Sequence, residues 1–169
     1  MADIQITVHG QPAPQGSKKF VGHNRTGRGV LIESSKKVKL WRSAVVAAAV
    51  PLRPAAPLDG PLVADMVFTM PRPKGHYGTG RNAGVLKSRY ASALPDRVPD
   101  LSKLARSTED ALTDAGVWAD DARVVSYGRL AKLYAGDPDP DALDVPGAVI
   151  RVRAYVPVGL LVTEIGGAA

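Results

Sequence analysis

The sequence predicts an α+β fold: a small single domain, residues 1–169, in which a mixed β-sheet packs against two main helices. Three observations carry that expectation. Short stretches near both ends and in the middle of the chain alternate apolar with polar residues. Two longer stretches repeat apolar residues every three or four positions. The elements follow one another as β-α-β-α-β-β, and at 169 residues, 45% of them hydrophobic and 22% charged, the chain suits one domain with a sizeable core.

Ile4, Ile6 and Val8 alternate with Gln5, Thr7 and His9, the pattern of a half-buried strand. From Gly10 to Gly29 the chain loosens into a mobile basic loop or hairpin with Lys18, Lys19, His23, Arg25 and Arg28. Ser34 or Ser35 can cap a helix reaching about Val50, with Val38, Trp41, Val45 and Ala48 or Ala49 on its apolar face; Pro51, Pro54 and Pro57 end it. Val63 to Met70 forms the second strand. Residues 71–99 then show no convincing period, carry Arg72, Lys74, His76, Arg81, Lys87, Arg89 and Arg97 with Tyr77 and Tyr90 among them, and form a second basic loop. Cations interleaved with aromatics suit phosphate contact and base stacking.

The second helix is the clearest element. Leu101, Leu104, Thr108, Leu112 and Ala115 mark one face, Asp100 or Ser102 can cap its start, and Gly116 suits its end. Strands are expected from Ala122 to Tyr134 and from Ala148 to Val156, able to pair as a hairpin. Residues 157–169 are expected to be a flexible tail, frayed at Gly166 to Ala169.

Charge is unevenly divided. Residues 1–95 hold 14 lysines and arginines against 4 acids, whereas residues 96–169 hold 8 against 12. A basic half that neutralises phosphates beside an acidic half that holds cations is what an enzyme acting on nucleic acid needs. The chain has no cysteine, which excludes disulfides, thiolate zinc sites and cysteine nucleophiles. The N-terminus lacks a signal-peptide pattern, and the longest apolar stretch, Ala44 to Leu52, is far short of the ~20 residues that span a bilayer. A cytoplasmic location is the expectation.

Several chemistries fall away. No G-x-S-x-G elbow, P-loop or H-E-x-x-H motif is present, and His9, His23 and His76 are scattered. Pro99-Asp100 is not followed by the acid-x-Lys of one large nuclease class. Asp137, Asp139 and Asp141 resemble the start of a calcium loop, but Ala142 and Ala148 occupy its glycine and glutamate positions, so the stretch reads as a solvated turn. The segment from Pro99 to Val125 differs. It puts Asp100 at the mouth of a helix, Ser102 and Arg106 one turn apart on one face, and Asp120-Asp121 just before the next strand. Magnesium takes one or two carboxylates and completes its shell with water and phosphate, so two aspartates converging on one cleft would suffice.

Pro99 to Val125 resembles the RusA family of Holliday-junction resolvases. The pattern runs Asp100-Leu101-Ser102-Lys103-Leu104-Ala105-Arg106, then Asp110-Ala111-Leu112, then Gly116-Val117-Trp118-Ala119-Asp120-Asp121-Ala122-Arg123-Val124. A weaker similarity covers G-Q-P-A-P-Q-G-S-K-K near the N-terminus and the Trp-containing helix after it. The resemblance implies a RusA-like fold and a Mg²⁺-dependent endonuclease, with Mn²⁺ as a substitute, that nicks four-way DNA junctions symmetrically as a homodimer in recombination, repair or phage DNA processing. It implies Asp100 and Asp121 as metal ligands and Arg106 in place of a catalytic lysine. Arg106 holds its proton too tightly for acid–base work, so it, or Lys103, would stabilise the phosphate. Ser102 stands where the family pattern has a second acid, leaving at most a neutral hydroxyl ligand. Asp120 is the first substitute for that charge, with Asp96 and Glu109 as others. Lys18, Lys19, Arg25, Arg28, Arg72, Lys74, Arg81, Lys87 and Arg89 are the expected DNA contacts. The alternative is a branched-DNA-binding protein of the same family with weakened catalysis.

Overall fold

A computed structural model describes residues 3–16, 19–23, 29–32 and 36–157. The backbone forms strands β1 (Ile4–His9), β2 (Lys19–His23) and β3 (Gly29–Ile32), helix α1 (Lys36–Ala49), strand β4 (Leu62–Met70), helix α2 (Leu101–Asp114), and strands β5 (Val124–Tyr134) and β6 (Gly147–Ala154). The main sheet runs in the order β1-β6-β4-β5, and β2 and β3 make a separate antiparallel pair.

The two late strands do not form the expected hairpin. β6 lies between β1 and β4, antiparallel to both, whereas β5 runs parallel to β4 at the sheet edge. The cause is the connection: a parallel pair needs a long crossover, and α2 with its approach supplies it between β4 and β5.

One sheet face packs against both helices. Ile4, Ile6 and Val8 of β1 meet Ala64, Met66 and Phe68 of β4, Ile150 and Val152 of β6, and Val38, Trp41 and Val45 of α1 in one cluster with Leu104 and Leu112 of α2. Trp41 lies 6.3 Å from Phe68, centroid to centroid, and its indole N–H donates to Thr108 Oγ1 across the helix pair at 3.0 Å. That hydroxyl in turn donates to the Leu104 carbonyl at 2.9 Å, so both buried polar groups are satisfied. Gly116, at φ 73°, ends α2 in the left-handed region where glycine is least strained.

The opposite sheet face carries ion pairs. The Asp137–Asp141 stretch is no solvated turn: Asp141 is 8% exposed and accepts from Arg151 at 2.6 Å and Arg129 at 3.0 Å, while Asp139 pairs with Arg129. These guanidiniums hold both carboxyls below the usual range, chiefly through the Arg129 hydrogen bond for Asp139 and the Arg151 hydrogen bond for Asp141. Beside them Arg153 pairs with Asp65 over Gly128, where an added Cβ would stand 2.3 Å from the Asp65 carboxylate.

The 71–99 stretch is built into the domain. Its turns include three short 3₁₀ segments, at Lys74–His76, Gly80–Asn82 and Ser88–Tyr90. His76 stacks on Tyr90 with ring centroids 4.1 Å apart and meets Tyr134 of β5 edge-on. Arg72 lies 5.0 Å over the Tyr134 ring and donates to the carbonyls of Tyr90 and Ala135. Periodicity could not reveal this order, because it rests on contacts between turns and a distant strand.

Candidate active site

Three elements of sequence build the site: α2 as far as Glu109, the Gly116–Arg123 connection and the start of β5. Trp118 anchors the connection. It is buried, its indole donates to Thr113 Oγ1 at 2.7 Å, and the neighbouring Val117 carbonyl and Ala119 N–H bond Leu58 on both sides. A short 3₁₀ turn, Asp121–Arg123, then leads into β5. The G-Q-P-A-P-Q-G stretch is laid along α2 from the other side, with Ser107 Oγ donating to the Ala13 carbonyl at 2.7 Å and the Gln15 N–H to the Lys103 carbonyl at 3.0 Å.

Ser102, Arg106 and Glu109, spaced four and three residues apart, share one stripe of α2. Ser102 and Arg106 are exposed, whereas Glu109 is partly buried and accepts a hydrogen bond from the Tyr127 hydroxyl of β5. Burial raises the Glu109 carboxyl above its usual range against the Tyr127 hydrogen bond; the nearby charge of Asp121, and then of Asp110, pushes it further up, and Arg106 opposes them. The Tyr127 hydroxyl is pushed up as well, first by burial, then by Glu109 and Asp121. Asp121, Glu109, Arg106 and Tyr127 therefore share one electrostatic neighbourhood.

The other expected residues fall differently. Asp100 occupies the N-cap position of α2, yet its side chain makes no capping hydrogen bond and instead pairs with Lys103 at 2.9 Å. It sits nine residues before Glu109, ~13 Å of helical rise. Asp120, the first substitute for the missing acid, caps the short turn, with Oδ1 accepting from the Ala122 N–H at 2.8 Å. Asp96 is exposed on the approach to α2. Among the described residues no three acids or histidines gather closely enough to hold one cation. The all-oxygen pair of Asp121 and Glu109 still matches magnesium, which needs only one or two carboxylates beside water and phosphate.

Of the expected DNA contacts, Lys18, Arg25 and Arg28 lie outside the described residues, and Lys19 falls in β2, of which only the backbone is described. Lys74, Arg81 and Arg89 are exposed on the 71–99 stretch, Arg89 lying over the Tyr90 ring. Arg72 and Lys87 are turned to internal carbonyls instead, Lys87 Nζ donating to Gly75 at 2.9 Å. Tyr127 was missed because its partner lies on another element; the only local signal is its place three residues into a strand that starts beside Asp121.

A family model described as Endodeoxyribonuclease RusA matches residues 9–140. Over 49 residues the chain is 47% identical to the crossover junction endodeoxyribonuclease rusA of Enterobacteria phage 82. The same identity and length hold for the proteins of that name from Escherichia coli (strain K12) and Shigella sonnei (strain Ss046). Each alignment covers 28% of this chain and 40% of the relative, so the chain spans less than half the length of these curated proteins. No helix among the described residues is long and apolar enough to cross a membrane.

Proposed function

Because the chain belongs to the RusA endodeoxyribonuclease family, we propose that it is a structure-selective endodeoxyribonuclease that resolves four-way DNA junctions by paired phosphodiester hydrolysis. The observation that carries this reading is the grouping of Asp121 with Glu109 and Arg106, in a family named for a DNA-cleaving activity. It would act in the cytoplasm, in recombination, repair or phage DNA processing, as a homodimer whose two sites face the two strands to be cut.

Asp121 and Asp100 are the proposed ligands of a divalent cation, Mg²⁺ or Mn²⁺; Glu109, ~13 Å along the helix from Asp100, does not share that ion with Asp100 and instead adds negative charge next to Asp121. Such a cation, when bound, supplies an acidified water and neutralises charge on the phosphate. The rest falls to the chain's own groups. Arg106, on the same stripe as Glu109, faces the anionic phosphate and stabilises the charge that grows on it during attack. Lys103, paired with Asp100, would be free to reach the phosphate if a cation held the Asp100 carboxylate instead. Tyr127 fixes the Glu109 carboxylate through its hydroxyl. Lys74, Arg81 and Arg89 hold the DNA backbone and select by shape, because phosphate contacts carry no base information.

Replacing Asp121 with Asn tests the assignment. Junction cleavage is expected to fall by more than about 100-fold, beyond the loss typical of a merely supporting residue. Metal-free junction binding should persist. Cleavage at the wild-type rate would remove Asp121 from the site. The second reading, a branched-DNA-binding protein with weakened catalysis, is favoured by Ser102; it requires tight junction binding with no metal-dependent product from the wild type.

A further inference from the structure

Two cavities meet at the mouth of α2, just before Asp100. One, of about 240 Å³, is walled by Pro71, Pro95 and Tyr134 and carries Arg97 and Lys132; the other, of about 370 Å³, is walled by Pro12, Ala13 and Pro14 and carries Lys37. They share Gln11, Met70, Val98 and Pro99, so they form one continuous trough. Its charge is one-sided: among the described residues, cations line both ends and no acid lines either part. The open groove along α1 and α2 and the hollow below β6, by contrast, include Asp114 and Asp59. The trough wall is also fixed from below, since Lys132 Nζ donates to the carbonyls of Arg97 and Pro99, each at 2.8 Å. On it Val98 stands 86% exposed, an extreme value for an aliphatic side chain.

We propose that this trough seats an unpaired stretch of a DNA strand, a base resting on Met70, Val98 and Pro99 and its phosphates at Arg97 and Lys37. The inference rests on the DNA-processing reading above and gives that reading a subsite. Charge and polarity together choose the occupant. An anionic partner fits cations without acids, but an intact duplex keeps its base faces stacked inside and offers outward phosphates, sugars and the edges of bases in the grooves, so a narrow apolar floor gains little from it. A strand with splayed bases offers both an apolar face and a phosphate chain, the pairing that single-strand grooves use. Branch points are where such bases are found. Because Pro99 leads directly into Asp100, a strand lying here passes the start of the proposed catalytic helix.

The test uses Val98→Asp, which puts an acid on the trough floor at a position too exposed to matter for folding. Binding is measured without divalent cations, by fluorescence anisotropy, on a single strand of ~12 nucleotides and on a blunt duplex of equal length. A four-way junction carrying 2-aminopurine at the branch point reports unstacking. The wild type is expected to bind the single strand and to raise the 2-aminopurine signal on the junction. Val98→Asp should weaken single-strand binding by about tenfold or more, the value of one stacked base, and abolish the rise. Its duplex affinity should stay within about twofold, with an unchanged melting temperature. Equal losses on single strand and duplex, or no loss at all, would overturn the proposal; the latter would mean that another partner covers the trough. A protein that unstacks the branch point through Val98 but never nicks DNA would uphold the trough and refute the nuclease instead.

Discussion

Replacing Thr108 with Val tests how α2 is seated. Valine keeps the shape of threonine but has no hydroxyl, so the Trp41 indole N–H, now 3.0 Å from Thr108 Oγ1, loses its acceptor. Trp41 is 1% exposed and Thr108 fully buried, so water cannot replace the bond. An orphaned buried donor costs about 1–3 kcal/mol. At about 2–4 °C per kcal/mol for a chain of this size, the melting temperature should fall by roughly 2–12 °C. The Leu104 carbonyl also loses a donor, but it lies inside a helix and retains its backbone partner, so Trp41 dominates. Thr108→Ser keeps the hydroxyl and should lose only about 1 kcal/mol for its methyl. Differential scanning calorimetry of the two variants, each also placed in a Trp41→Phe background, isolates the pair. A Thr108→Val variant that melts with the wild type, or an effect that is the same whether or not the indole N–H is present, would refute the Trp41–Thr108 pairing.

Other expectations follow from the charged groups. Asp139 and Asp141 are held below the ordinary carboxylate range, so the stability they contribute is complete above about pH 4 and disappears as pH falls through their lowered values. Asp141→Asn should therefore melt lower than wild type at pH 7, with the gap closing in acid denaturation followed by circular dichroism. Glu109 has the opposite sign: its raised carboxyl opposes folding when ionised, and that penalty vanishes once the pH drops below its unfolded value near 4.5. Glu109→Gln should then melt higher than wild type at pH 7 while cleaving junctions more slowly; a lower melting temperature at pH 7 would contradict the assigned environment. Within the basic stretch the roles divide. Arg72→Ala should destabilise the domain and speed proteolysis between residues 74 and 90, whereas Arg81→Ala should leave melting unchanged and reduce the salt dependence of DNA binding by about one ion.

How much of this was legible in the sequence depended on how local the cause was. The alternation of Ile4, Ile6 and Val8 and the spacing of Leu104, Thr108 and Leu112 are written in consecutive turns, and those residues are buried as their period requires. Strand order was not legible, because β6 enters between β1 and β4 by pairing with chain 78 or more residues away, as at Thr69 and Gly147. Asp137 to Asp141 looked wet for the same reason: alternating Asp and Pro states nothing about Arg129 and Arg151, which arrive from two different strands. At the site, the Asp100-to-Asp121 segment stood out by its motif, and the stripe of Ser102, Arg106 and Glu109 follows from helical spacing. The preference for Glu109 over Asp120 needed the fold. Only the turn at Asp121–Arg123 shows that Asp120 is engaged by its own backbone while the charge of Asp121 is felt by Glu109 and Tyr127.

The central claim is that this chain cuts branched DNA with a site centred on Asp121. The most direct measurement incubates the purified wild-type protein with an end-labelled four-way junction and with a linear duplex at the same salt, with and without Mg²⁺, and resolves the products on a denaturing gel. Symmetrically paired nicks on the junction, absent from the duplex and dependent on Mg²⁺, are the expected result. Tight junction binding with no nick under any metal condition would contradict it.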